Sequence, residues 1–407
     1  MRKKRSRLLP FIGIALACVI VAASVLAYLT LKKPKQYERE AFINGSIYTS
    51  ESDLPWADTM VIDKDEIIFV GSYKEAEKYI NQNTKVHDVK GKLILPGFVD
   101  SHNHVGLISG QLGLEKSLLI ESSWDRERIL KELEQFIKKN KKIELIVGFG
   151  FDSNVFGEEG PTAAELDKLE KDRPVFILDD GGHSAWVNSK AMEIGNINKD
   201  TPDAVPNVHY FQRDKEGNPT GWLKESQSFV PLAKKLDIID TDTAVKGAEL
   251  LFPIVSQFGI TTIYDAGMMG FEEELLAAYH DMEKKKQLPF RVVGSYMIQS
   301  PKVIPTAIES LTHLNKTYQS DLMKVDTMKI HYDGTLEAGT AAMFENYGAN
   351  HDKNGDVLFS AEQLNKLVYD ISKAGFNSHI HAIGDKAIDH AISAYEYLKQ
   401  TGEHHDT

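Results

Sequence analysis

Apolar and polar positions along the second half of the chain alternate between two periodicities. Helical spacing alternates with apolar, often β-branched runs that have the length of buried strands. The helical segments are 241–258, 271–286, 361–374 and 386–399, and the strand-like runs are 260–264, 290–296, 328–332 and 377–383. This alternation predicts a parallel sheet whose strands are joined by helices. Polar residues follow several strands, at the edge where parallel sheets carry ligand sites.

Two earlier regions have different patterns. Residues 36–92 contain short strands, including a hairpin of 59–63 with 67–70, and indicate a small β-domain. Residues 111–240 mix strand-like runs at 144–150 and 174–178 with helical spacing at 124–142 and 161–171. A polar, turn-rich loop is predicted at 207–220. The pattern alone leaves open whether 111–240 is an insertion or a series of further β/α units.

Residues 1–35 have the pattern of a membrane anchor. A basic cluster from Arg2 to Arg7 precedes an uncharged segment, 8–31, which as a helix would be about 36 Å long. A hydrocarbon core is about 30 Å thick, so this segment predicts a single transmembrane helix. The positive-inside rule then places the N-terminus in the cytoplasm and the body outside. The alternative is a cleaved signal peptide followed by secretion, because small residues lie at 23–27.

Charge and cysteine content narrow the classes of function. The 407 residues carry a net charge of −12, and the portion after residue 35 carries −20. An acidic body without a basic stripe argues against nucleic-acid binding. The single cysteine, Cys18, lies in the predicted anchor, so the body is expected to be stabilised by packing without disulfides.

The clearest candidate chemistry lies at 93–104, where an apolar run leads through Pro-Gly-Phe-Val-Asp-Ser into His102 and His104. Residues two apart on a strand point to the same side. Both imidazoles therefore face one way at the strand's carboxyl end, and neutral imidazole is a good ligand for zinc and neighbouring divalent metals.

This stretch resembles the first barrel strand of the metal-dependent amidohydrolase superfamily. The segments 179–189, 221–225 and His-Ala-Ile-Gly-Asp at 381–385 are similar to the amidohydrolase-3 (YtcJ-like) family. The resemblance implies a distorted TIM barrel beside a small β-domain, and hydrolysis of amide-type C–N bonds, including those of N-substituted formamides. It also implies one or two divalent metals, with zinc as the first candidate.

The resemblance implies particular site residues. The implied metal ligands are His102, His104, Lys329 and His381, and His183 and Trp222 are implied to contact a small amide substrate. Lys329 can be carbamylated in related proteins; the alternative is a lysine that faces outward with its stem packed. His379 falls outside the family pattern and is expected beside the ligands. Asp385 either orients a ligand imidazole or caps the following helix.

The predicted fold class is α/β: an incomplete TIM barrel at 93–407, with strands 1 to 5 only and an insertion at about 111–240. The small β-domain at 36–92 and the anchor at 1–35 precede it. The family's sixth-strand histidine and general-base aspartate have no counterpart, so we expect a truncated chain that is inactive unless a dimer or a complementing chain completes it. The alternative is a non-catalytic, membrane-anchored metal-binding protein.

Overall fold

The computed structural model describes residues 38–157, 159–336, 338–348 and 354–402. These form two compact units that divide between Pro96 and Gly97. The predicted anchor at 8–31 lies outside the described residues. Across the described ranges, no helix has both the length and the apolar character needed to cross a membrane.

The first unit is built from two small sheets. Its strands are β1 (Arg39–Ile43), β2 (Ser46–Tyr48), β3 (Trp56–Ala57), β4 (Thr59–Asp63), β5 (Glu66–Gly71), β6 (Thr84–Asp88) and β7 (Leu93–Ile94), with a short helix α1 (Tyr73–Ala76). One sheet has the order β5-β4-β1-β6 and the other β3-β2-β7. The predicted hairpin is the antiparallel pair of β4 and β5. A small core of Ala41, Val61 and Ala76 holds the unit together.

The second unit contains a parallel five-stranded sheet in the form of a half-barrel. Its strands are β8 (Phe98–Asn103), β15 (Ile260–Asp265), β16 (Arg291–Ile298), β17 (Met323–His331) and β18 (Asn377–His381). The order is β18-β17-β16-β15-β8, so sequential strands are neighbours. The pattern predicted all five. The fourth begins five residues before its predicted start at 328, because Met323 and Val325 are also buried.

Helices cover this sheet and connect its strands. They are α2 (Val105–Leu112), α7 (Thr241–Gln257), α8 (Glu272–Lys284), α9 (Ile304–Tyr318), α10 (Ala361–Lys373) and α11 (Asp385–Thr401). Local sequence sets several helix starts: the Asp240 carboxylate accepts from Thr243 N, and Ser360 and Gln363 form a capping box. α2 packs on α7 through Gly113 and Gly247, where a Cβ would lie 1.7 Å and 1.8 Å from backbone oxygens of the facing helix.

The chain between β8 and β15 forms a second sheet of six strands. They are β9 (Leu118–Leu119), β10 (Ile146–Phe151), β11 (Val175–Asp179), β12 (Ser184–Val187), β13 (Tyr210–Arg213) and β14 (Pro219–Lys224), in the order β13-β14-β12-β11-β10-β9. Its helices are α3 (Arg126–Lys139), α4 (Ala163–Asp167), α5 (Ser189–Gly195) and α6 (Ser226–Lys235). The predicted loop at 207–220 is instead largely a hairpin, because β13 pairs with β14 across a turn in which Gly217 has a φ of +85°.

Candidate metal centre

His102 and His104 lie together at the carboxyl end of β8. Their ring centroids are 5.6 Å apart. The Nδ1–H of His104 donates to the carbonyl oxygen of Gly267 at 2.9 Å, which leaves Nε2 as the nitrogen with a free lone pair. Gly267 has a φ of +142°, and a Cβ there would lie 2.9 Å from Met297 Sδ, so only glycine presents this carbonyl without strain.

Lys329 lies inside the sheet on β17 and is 2% exposed. Burial lowers the pKa of its ammonium to about 8. Its charge also lowers the pKa values of His102 and His104, although burial has the larger effect on both. The outward-facing alternative is therefore wrong: the side chain is in the interior, near the histidines of β8.

The two histidines of β18 lie beside different neighbours. β17 and β18 pair in parallel, with Lys329 opposite His379 and His331 opposite His381. The ring of His379 is 5.0 Å from that of His102, and its Nδ1 is 3.0 Å from the Tyr264 hydroxyl. Burial, with the Lys329 charge, lowers the pKa of His379 to about 3, so the imidazole is neutral. We call His102, His104, His379 and Lys329 the first cluster.

His381 lies with a second group of ligands. Its ring stacks on that of His331, with 4.6 Å between centroids, and lies 5.7 Å from that of His183. Ligand atoms of His183, Glu225 and His331 all lie within 4.8 Å of one another, and we call these three residues the second cluster. His381 therefore lies beside the second cluster. Its role as a metal ligand together with His102 stays a prediction.

Glu225 is the charged residue of the second cluster and is fully buried. One carboxylate oxygen accepts from His183 Nδ1 at 2.8 Å and lies 3.7 Å from His331 Nε2, and the other accepts from the Thr340 hydroxyl at 2.7 Å. Burial alone would raise the pKa of this carboxyl, but the His183 hydrogen bond, assisted by Thr340, holds it below its ordinary value. The backbone is in the left-handed region, with φ at +63°, which is typical of functional positions.

Two of the imidazoles near Glu225, those of His331 and His381, are neutral. Burial, then the neighbouring histidines, lowers the pKa of His331 well below its ordinary range, and burial lowers that of His381 to about 4. His209 is also fully buried, with its ring 5.4 Å from that of His331. A carboxylate among neutral imidazoles is a ligand set that zinc and related divalent metals accept.

His183, Trp222 and Asp385 are the other residues that the sequence singled out. His183 belongs to the second cluster, whereas the Trp222 ring packs against Gly160 and lies 3.9 Å from the Lys224 ammonium. Substrate contact by Trp222 stays a prediction. Asp385 accepts a hydrogen bond from Phe344 N, and it begins α11, so its observed contact is with backbone.

Sequence reasoning left four residues of this site without a definite role, and one of them is His331, two residues after Lys329 on β17. His379 carried the same alternating-histidine signal as 102–104, and Glu225 ends a segment already singled out for Trp222. His209 gave no usable signal, because it lies in a region that was predicted to be a polar loop.

Known proteins are similar to this chain over most of its length. A family model described as "Amidohydrolase family" matches residues 85–407. The exoenzymes regulatory protein AepA of Pectobacterium carotovorum is 30% identical over 89% of this chain and 78% of that protein. The N-substituted formamide deformylase of Arthrobacter pascens is 25% identical over 88% of this chain, which spans 66% of the enzyme. An uncharacterized metal-dependent hydrolase from Pyrococcus horikoshii has a similar structure, with a TM-score of 0.63, 26% identity, and coverage of 89% of this chain and 68% of that one.

Proposed function

The chain belongs to the amidohydrolase family, and from this premise we propose that it is a metal-dependent hydrolase of amide-type C–N bonds in small molecules. The observation that carries the proposal is the convergence of the first cluster, together with His331 and His381, at the carboxyl ends of strands in the parallel five-stranded sheet. His102, Lys329 and His379 come from three strands of one sheet and approach one another only because the half-barrel brings those strands together. This edge is where β/α enzymes hold their catalytic groups.

The residues present fit a divalent metal. In the second cluster, ligand atoms of His183, Glu225 and His331 lie within 4.8 Å of one another. The first cluster offers imidazoles whose ring centroids are 5.6 Å apart for His102 and His104 and 5.0 Å apart for His102 and His379. Nδ1 of His331 is buried without a hydrogen-bond partner among the described residues. An unpaired buried nitrogen costs free energy, which a bound ligand would recover. When bound, a divalent metal supplies Lewis-acid polarisation of the scissile carbonyl and lowers the pKa of water. Zinc remains the first candidate, with one or two ions.

The chain's own residues would prepare the site for this chemistry. Gly267 fixes the tautomer and orientation of His104, and Glu225 does the same for His183. The hydrogen bond from Nδ1 of His183 to Glu225 selects the tautomer whose Nε2 is the nitrogen that would accept a proton or a hydrogen bond at the substrate. Glu225 stabilises the imidazolium that forms if His183 takes up that proton.

An amide as the substrate is supported by the family and by the deformylase relative, whose name specifies N-substituted formamides. We therefore propose N-formyl and N-acyl amines as the first compounds to assay. The truncation, the need for a second chain, and the membrane location predicted from 8–31 stay predictions.

The test measures bound metal and turnover on the same protein. The chain is purified, its zinc, manganese and iron contents are determined, and hydrolysis of a panel of N-formyl and N-acyl amines is followed by amine release. His102→Asn and His379→Asn are compared with His313→Asn, whose side chain is 67% exposed on α9. Metal and turnover that are lost in the first two variants and kept in the third support the proposal.

Two other outcomes decide against it. Metal bound at these residues without turnover of any amide favours the non-catalytic metal-binding alternative. A chain that binds no divalent metal, or that binds it equally after His102 and His379 and also His183 and His331 are replaced, refutes the proposal and its alternative together.

A further inference from the structure

A cavity of about 380 Å³ opens beside both clusters. His104 of the first cluster and His183 of the second lie on its wall. The rest of the lining is mostly apolar and comes from α2, β10, β11, α6 and the segment before α7, including Leu107, Phe149, Phe176, Phe229, Val230 and Ile239. We call this cavity the apolar pocket. It runs from two candidate site histidines into the hydrophobic core, to which these six residues belong.

Phe149 lines the pocket beside an irregularity in the pairing of β10 with β11. The pairing of β10 with β11 shifts register between Phe149 and Phe151, and Gly150 lies at the shift with a φ of +103°. A Cβ at Gly150 would lie 2.3 Å from the Ile120 carbonyl oxygen, so this wall is closely packed. A close-packed wall gives the pocket a fixed shape and therefore a size limit.

Among the described residues that line the pocket, the carboxylate and lysine or arginine side chains are all acidic. Among the described residues that line it, no lysine or arginine is present, whereas Asp179 and Asp180 lie at one end. The Asp179 carboxylate already accepts from the backbone N–H groups of His183 and Ser184 and from the Ser184 hydroxyl. It therefore shapes the loop that carries His183, and no lysine or arginine of the described residues lines the pocket to bind an anionic ligand.

We propose that the apolar pocket holds an uncharged aliphatic or aromatic substituent of the substrate, while the scissile amide lies between His104 and His183. The proposal rests on the proposed function and adds a substrate class to it: amides with a large apolar group, in preference to short or anionic ones. At about 30 Å³ for each non-hydrogen atom, the volume accommodates a group of roughly a dozen such atoms. Pockets of this size and apolar character are typical of small-molecule sites.

The test uses binding, so that it does not depend on turnover. N-alkylureas from methylurea to octylurea keep the N–H and carbonyl of an amide and resist hydrolysis. Their dissociation constants for the whole chain are measured by calorimetry. Burial of one methylene contributes enough free energy to raise affinity about fourfold, so affinity should rise by that factor with each added carbon until the pocket is full.

Two variants locate the binding. Leu119 lines the pocket and is 64% exposed, so Leu119→Asp should fold and should weaken octylurea at least tenfold while leaving methylurea unchanged. Leu250→Asp is the matched control, because Leu250 is 61% exposed on α7 and does not line the pocket. Ala233→Phe fills the pocket from α6 and should end the rise in affinity at a shorter chain.

An affinity that is flat with chain length, or an equal loss in Leu119→Asp and Leu250→Asp, overturns the proposal. Its failure is distinguishable from that of the proposed function. Metal-dependent turnover with no dependence on chain length refutes only the apolar pocket. A clear dependence on chain length in a protein that neither binds metal nor turns over amides refutes only the hydrolase.

Discussion

Replacement of Glu225 by glutamine removes the negative charge of the second cluster while keeping its shape. The residue is fully buried, and its carboxylate serves His183, Thr340 and, at 3.7 Å, His331. The amide oxygen of glutamine can still accept from one of these donors, so Glu225→Gln should fold. It should bind zinc at least 10- to 100-fold more weakly, the loss usual when a group that supports a metal site is changed, and more if Glu225 is itself a ligand.

Glu225→Ala separates the electrostatic effect from the structural one. It removes the acceptor of the part-buried His183 Nδ1–H and leaves the Thr340 hydroxyl with Thr335 O at 3.4 Å. Since a buried group that loses its acceptor costs about 1–3 kcal/mol, at most about 2–6 kcal/mol of unfolding free energy should be lost. Glu225→Gln should lose much less stability than Glu225→Ala and a comparable amount of zinc affinity.

The assay is competition for zinc with a chromophoric chelator at pH 7, combined with urea unfolding of the metal-free protein. Glu272→Gln is the matched control, because Glu272 is also buried and accepts from Gly270 N and Met297 N, both at 3.3 Å, neither of which belongs to a cluster. Zinc affinity that is unchanged in Glu225→Gln, or lowered equally in Glu272→Gln, would refute the reasoning.

Three further predictions concern Gly267, Lys329 and Asp265. Gly267→Ala should lower zinc affinity and stability together, because it strains a φ of +142° and displaces the carbonyl that orients His104; equal zinc titrations of variant and wild type would contradict this. Lys329→Met should raise the unfolding free energy of the metal-free protein at pH 7, because it removes a buried ammonium whose pKa is lowered by burial to about 8. The same variant should weaken zinc binding if Lys329 is a zinc ligand. Burial raises the pKa of Asp265 to about 7, so the native state holds a proton that the unfolded state releases near pH 4, and stability should fall as pH rises from 4 through 7. Asp265→Asn should reduce the dependence of the unfolding free energy on pH, measured by urea unfolding at several pH values. An unchanged pH dependence would show that other groups cause it.

The parts of the fold that could be predicted are those governed by local periodicity. The five parallel strands followed from apolar runs alternating with helical spacing, and the shared face of His102 and His104 followed from the two-residue period of a strand. Local sequence did not predict β13, because its pairing with β14 depends on a polar turn that resembles a loop.

The parts of the site that could not be predicted depend on contacts between distant segments. His379 and His381 share one face of β18, so their spacing cannot decide which one approaches His102; the alignment of β18 with β17 decides it. Glu225 reaches His331 from the six-stranded sheet, across more than a hundred residues of sequence. Its role therefore needed the packing of that sheet against the half-barrel.

Anomalous diffraction at the zinc edge, from crystals grown with zinc, tests the central claim most directly. We expect a peak at the carboxyl end of the five-stranded sheet, about 2.0–2.1 Å from imidazole nitrogens of His102 or His104 together with a β18 histidine, or of His183 and His331 beside Glu225. A fully loaded crystal whose zinc lies only on surface residues, with both clusters empty, would contradict it.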